Sequence, residues 1–277
     1  LFKLNLVRGR GLLSRALIQA QAVAPNFSNV YAAIVAVINT KIPDVGNLLL
    51  RRLVMTFRRT YRRNDKMNCS TILRFLAHLV NQQVADELLA LQLLHTFLET
   101  TTSDSVLLAV EFVRECGAAL SELSPLGFRG VFEQVRQVLQ DEQLDRRAAF
   151  AVEQLMAVRR SGFQDHPAVL PALDLVEAED QIPHEVHLDE EHDEERMLDV
   201  FRVDEDWQAN EDMYAEVRKE ILGEDEEDEE EEEEGEAVDV EGNLAAMGGT
   251  TGFGAGGIAE AQVSQETKNT ELCRRIY

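Results

Sequence analysis

Apolar residues recur at three- and four-residue spacing through residues 1–175, the period of helices that bury one face. The spacing predicts helices over 12–23, 27–41, 46–63, 66–81, 84–99, 104–120, 126–140 and 145–160. The breaks between them are short and carry recognisable stop and start chemistry. Ala24-Pro25 and Pro43 end helices, and Asn64-Asp65 is a turn whose Asp65 can cap the next helix. Thr101-Thr102-Ser103 is an N-cap cluster, and Ser124-Pro125 places a proline at a first helical position. Ser161-Gly162 closes the last segment. Short connections make consecutive helices antiparallel neighbours, so the pattern predicts an all-α, HEAT-like α-solenoid of stacked helix pairs. A single helical bundle is the competing architecture, disfavoured by the succession of similar helices. No strand-like alternation of useful length occurs.

The segment 46–66 has the sharpest division of character. At about 100° per residue, Leu49, Leu50, Leu53, Val54, Phe57 and Tyr61 share one face. Arg51, Arg52, Arg58, Arg59, Arg62 and Arg63 gather on the other, with Lys66 just beyond the turn. The apolar face is built to enter a core. The basic face is either solvated or offered to a partner, as RNA phosphate or an acidic protein surface would require.

Charge then divides the chain. Residues 1–173 hold 20 Lys+Arg and 15 Asp+Glu, a net of +5; the remainder of the 27 and 51 is 7 and 36, a net of −29. After His166-Pro167 the sequence turns acidic, and residues 176–222 read as an acidic extension with short helices, the last near Tyr214–Leu222. Residues 223–263 read as a disordered linker, first poly-acidic (224–236) and then Gly-rich. Residues 264–277 turn basic and apolar again, like the start of a second helical domain.

Candidate catalytic chemistry is sparse. Gly248–Gly257 has no GK[ST] after it and no strand before it, so it is not a phosphate loop. His184, His187 and His192 lie among carboxylates in what reads as a solvated acidic loop, without the rigid spacing of a metal site. Cys69, Cys116 and Cys273 are far apart, a reduced intracellular pattern, and the first two read as small buried hydrophobes. The longest apolar run, Tyr31–Ile38, is too short to cross a bilayer. The residues therefore point to a non-enzymatic scaffold with no metal and no cofactor.

Several segments together carry a family resemblance: VRGRGLLSRALIQAQ (7–21), FSNVYAAIVAVIN (27–39), FRRTYRRNDK (57–66), FLAHLVNQQVADELLALQLL (75–94), DSVLLAVEFVRECG (104–117), VRRSGFQDHP (158–167) and DLVEAEDQ (174–181). In this order they resemble the middle domain shared with translation initiation factor 4G, and within it the spliceosomal Cwc-type splicing factors, the nucampholins. The resemblance implies a HEAT-type middle domain over residues 1–175 that lacks its first helices, and a second, MA-type helical domain of which only residues 264–277 are present. It implies a spliceosomal adaptor, nuclear and associated with speckles or the spliceosome. Such an adaptor binds the DEAD-box helicase of the exon junction complex, holds it open and inactive, and promotes junction-complex assembly on spliced mRNA. Its other partners would be spliceosome components and RNA, with no membrane involved. An RNA-binding scaffold in translation initiation or mRNA decay is the alternative on the same fold. By position, DRRAAF (145–150) matches a family motif and assigns Arg146, Arg147 and Phe150 to partner binding, with Phe150 where the family commonly has Tyr. Arg51, Arg52, Arg58, Arg59, Arg62, Arg63 and Lys66 remain candidates for RNA or protein contact.

Overall fold

The computed structural model describes residues 2–140 and 144–222. The poly-acidic tract, the Gly-rich linker and the segment 264–277 lie outside the described residues. Nine α-helices are present among the described residues: α1 (Leu6–Val23), α2 (Ser28–Lys41), α3 (Pro43–Arg62), α4 (Lys66–Asn81), α5 (Glu87–Glu99), α6 (Ser103–Leu123), α7 (Pro125–Gln140), α8 (Arg146–Arg160) and α9 (Trp207–Leu222). The described chain divides into two units, residues 9–201 and residues 2–8 with 202–222.

In the larger unit the even-numbered helices α2, α4, α6 and α8 pack each on the next, and α3, α5 and α7 form a second row against them. This is the α-solenoid that the periodicity predicts. Its core is continuous, from Val35 and Leu53 through Phe75, Leu93 and Phe112 to Phe132, Val152 and Leu155. The caps explain why the helices start where they do. Asp65, Asp86 and Asp145 accept from the backbone N–H groups of Asn68, Leu88 and Ala148, and Thr102 with Ser105 forms a reciprocal capping box. The starts of α4 and α8 are thus legible as aspartates. Pro43 sits at the first turn of α3 as well as after α2, so one residue ends one helix and begins the next.

Phe57 and Tyr61 on α3 stack with ring centroids 5.5 Å apart, and Phe97 of α5 meets both edge-on at 5.8 and 5.6 Å. The apolar face of α3 is therefore in the core, with Leu49, Leu50, Leu53, Val54 and Phe57 all buried. At the far end, Gly162 takes φ +67°, which turns the chain out of α8 and lets Phe163 pack beside Phe128 at 6.0 Å. Cys69 and Cys116 are buried, and burial pushes the Cys69 thiol up to about 12.

The smaller unit is α9 held to the start of the chain. The Tyr214 hydroxyl donates to the Phe2 carbonyl at 3.1 Å, Asn5 donates to Glu211 at 3.3 Å, and Arg8 pairs with Asp204. Asp204 also accepts from Asn210 at 2.7 Å and from the Asp206 N–H, tying down the entry to the helix. The helix begins at Trp207, seven residues earlier than its apolar positions alone suggest.

Candidate functional site

Most of the basic face of α3, left open in the sequence as solvated or partner-facing, is met by a segment of the same unit. Residues 182–199 return along the larger unit and lie across it as a strap. Alternation within the strap explains its attachment: Val186 and Leu188 are buried, while Glu185, Asp189 and Glu190 are exposed. The His184 N–H donates to the Val84 carbonyl at 2.9 Å, the Asp86 N–H donates to the His184 carbonyl at 3.2 Å, and Gln92 holds the Leu188 N–H at 2.8 Å. The solvated loop expected at His184, His187 and His192 is thus corrected to a packed segment. Its acidity conceals a short alternating run whose apolar members reach the core. Each histidine has its own hydrogen bond: His184 with Asn39 at 2.6 Å, His187 with Gln92 at 3.2 Å, His192 with the His187 carbonyl at 2.7 Å. Among the described residues no cluster of three or more metal-ligating groups forms.

Asn39 uses its amide N–H to donate to the Ile182 carbonyl at 2.7 Å, which leaves its oxygen to accept. His184 therefore carries its proton on Nε2. Burial, with the nearby positive charge of Arg51, lowers the His184 pKa to about 4.

Beyond Leu188 the strap meets the arginines. Arg52, only 5% exposed, is the centre of the contact. Its guanidinium donates to the carbonyls of Gly11 (2.8 Å), Glu194 (2.8 Å) and Glu195 (3.1 Å), and stands 2.7 Å from the Asp199 carboxylate, an ion pair out of hydrogen-bond alignment. Arg59 pairs with Glu194 at 2.8 Å, Arg10 with Glu195 at 2.7 Å, Arg51 with Glu195 at 3.8 Å, and Arg58 donates to the Glu190 carbonyl. Burial would raise the Glu194 carboxyl, but hydrogen bonds from Arg59 and Arg196 outweigh it and hold the pKa below its ordinary value. Four of the six arginines at 51–63 thus have partners within the same unit, carbonyls as well as carboxylates. Arg62 and Arg63 stay exposed past the end of the strap, and Lys66 is exposed but 2.6 Å from Asp104.

The helix α8 presents a different face. Ala148, Val152 and Leu155 are fully buried. On the opposite side, within about 100° of one another, stand Arg146, Arg147 and Phe150. Both arginines are exposed, and Phe150 is 61% exposed, which removes it from the core. A large aromatic held in water beside two guanidinium groups has the composition of a protein-binding anchor.

A third group escapes a reading by helix face, because its members come from two helices. Arg159 of α8 lies 4.1 Å over the ring of Phe132 on α7, and Arg129 and Arg136 stand one turn before and one turn after that ring. Burial and the charges of Arg136 and Arg129 hold the Arg159 pKa below its ordinary value, with Glu133 pulling the other way. Among the described residues, no carboxylate comes within ion-pair distance of any of the three.

An α-solenoid with an exposed aromatic side chain and segregated arginine surfaces defines the class, a helical-repeat fold. Residues 9–162 match the MIF4G domain, and the chain belongs to that family. It is 50% identical over 226 residues to the pre-mRNA-splicing factor CWC22 homologue of Drosophila melanogaster, which covers 82% of this chain and 17% of the relative. Over 220 residues it is 48% identical to the CWC22 homologues of Mus musculus and Homo sapiens, covering 79% of this chain and 24% of each relative. The likeness is thus to Cwc-type splicing factors with a MIF4G domain, and the chain spans a quarter or less of the length of these three. The strap lies outside the residues matched to the MIF4G domain.

Proposed function

We propose that this chain is the helicase-binding scaffold of a nuclear pre-mRNA splicing factor, a non-enzymatic adaptor of the spliceosome. Its partner in this reading is the DEAD-box helicase of the exon junction complex. The observation that carries the reading is the exposed Arg147–Phe150 pair on the first turns of α8, opposite the buried Ala148–Val152–Leu155 stripe. Arg147 offers a planar fork to a helicase carboxylate, with Arg146 adjacent, and Phe150 supplies the apolar area that a contact of this kind needs at its centre. The similarity to splicing factors supports the setting.

The mechanism is a population shift. A DEAD-box helicase works by closing two lobes over ATP and RNA, and a scaffold that binds the open arrangement better holds it there. Tenfold inhibition requires a preference of only about 1.4 kcal/mol for the open form. The test is binding of the full chain to the purified junction helicase by titration calorimetry, with the initiation helicase in parallel. Selective binding to the junction helicase, weakened at least tenfold by Arg147→Glu in a folded variant, is the expected result. Equal binding to the initiation helicase would move the reading to a translation or mRNA-decay scaffold, and no binding to either would overturn it.

A further inference from the structure

We propose that the α7–α8 cluster of Arg129, Arg136 and Arg159 is a contact site for the phosphate backbone of single-stranded RNA. The cluster is built. Phe132 is fully buried beneath Arg159, whose guanidinium carbon lies 4.1 Å from the ring centroid while the side chain stays partly exposed. Arg129 and Arg136 are exposed and seven residues apart, roughly 10 Å along the helix axis, on either side of that group. A row of three guanidiniums of this length matches an extended polyanion better than any single carboxylate. Burial first, and then the charges of Arg136 and Arg129, depress the Arg159 pKa, and the repulsion is relieved when an anion binds.

Phosphate is favoured over an acidic peptide by what this chain does elsewhere. It carries 51 acidic residues, and its strap carboxylates settle on Arg10, Arg52 and Arg59. Among the described residues, no carboxylate comes within ion-pair distance of Arg129, Arg136 or Arg159, and Glu133 acts on Arg159 through its charge alone. Glu133 stands between Arg129 and Arg136 and breaks up the site for a duplex-like continuous anion. A flexible single strand can place successive phosphates on either side of it. The inference does not depend on the helicase reading, since it uses different residues and a different ligand.

The test is fluorescence anisotropy of a labelled 20-nucleotide oligo-uridine RNA titrated with the full chain at several salt concentrations. Arg129→Gln/Arg136→Gln is the primary variant, because both side chains are exposed and the fold survives their loss. We expect affinity to fall at least tenfold at low salt, and the slope of log affinity against log salt to shrink by about 1.4, since each lost phosphate contact on a single strand removes about 0.7. Arg159→Lys keeps the charge but not the planar fork, and an intermediate loss is expected. Three results would overturn the proposal: no RNA binding by the wild type, an unchanged slope in the primary variant, or competition by a glutamate peptide of equal charge as effective as that by unlabelled RNA. Helicase binding through Arg147 would stand or fall separately.

Discussion

Two arginine surfaces on one solenoid have met opposite fates. On α3, Arg51, Arg52, Arg58 and Arg59 are engaged by a strap of the same unit. On α7 and α8, Arg159 has an aromatic platform, and Arg129, Arg136 and Arg159 have, among the described residues, no carboxylate within ion-pair distance, Glu133 acting only through its charge. In sequence the first set is far more conspicuous, six arginines on one face of one helix. The difference teaches that a basic face is a statement about what must cover it, and the cover can lie well over a hundred residues away. Conspicuous arginine is then structural at four positions, while the arginines dispersed over two helices have no ion-pair partner among the described residues.

The sharpest way to break the comparison is at Arg52. Replacing it with alanine leaves the carbonyls of Gly11, Glu194 and Glu195 without their donor and the Asp199 carboxylate without its counter-charge. Removing one partner from a buried charged contact costs about 3–5 kcal/mol. Urea unfolding of Arg52→Ala should show that loss, and limited proteolysis should newly cut within 190–199. Arg59→Ala removes only a partly exposed pair and should cost about 1 kcal/mol or less. Equal effects at both sites would mean that the strap is not pinned where the geometry places the pin.

The other anchor of the strap is sensitive to pH. In the unfolded chain His184 takes up a proton near pH 6.5; in the fold, burial and the charge of Arg51 delay this until about pH 4. Between those values the unfolded state binds the extra proton and the native state does not, so stability falls as pH falls. The loss should reach about 2 kcal/mol at pH 5, measured from pH 7. Asn39 accepts from Nε2, so a neutral His184→Gln variant keeps a donor near that oxygen while removing the titration. Urea midpoints of the wild type should then drop more steeply than those of the variant between pH 7 and pH 5. Parallel slopes would exclude His184 as the source.

The solenoid was legible because helix period, caps and breaks agree with one another. Asp65, Asp145 and the Thr-Ser pair at 102–105 are capping residues in the fold as they are in the sequence. Phe57 and Tyr61 were legible as a core face for the same reason. The strap was harder to read. Its apolar anchors, Val186 and Leu188, are two residues in a stretch otherwise rich in carboxylates and histidine, and composition outweighed the alternation. The signal was present at 184–188 as a period of two. Arg159 was not legible at all, since its position over Phe132 depends on how α8 packs against α7. Periodicity places a residue on a face of its own helix and says nothing of which side chain on another helix it will cover.

The smallest effects sharpen the comparison most finely, at one glycine on each surface. A Cβ at Gly11 would fall 2.7 Å from the Leu198 carbonyl oxygen and closer still to the Leu198 Cβ. Gly11 therefore permits the close approach of the strap to α1, beside the Gly11 carbonyl that Arg52 holds. Gly11→Ala should destabilise by about 1–3 kcal/mol, as overpacking does where backbone is the obstacle. Gly130, beside Arg129 in the interior of α7, has nothing within 4 Å of the same ideal position. Gly130→Ala should instead stabilise by about 0.5–1 kcal/mol, because alanine is the better helix former and meets no neighbour. Thermal unfolding of the two variants side by side reads both signs in one experiment. A covered surface answers an added methyl with strain, and an open one with helix propensity. If Gly130→Ala were destabilising, the α7 surface would already be covered in the free chain, and the arginines beside it would no longer be free for RNA.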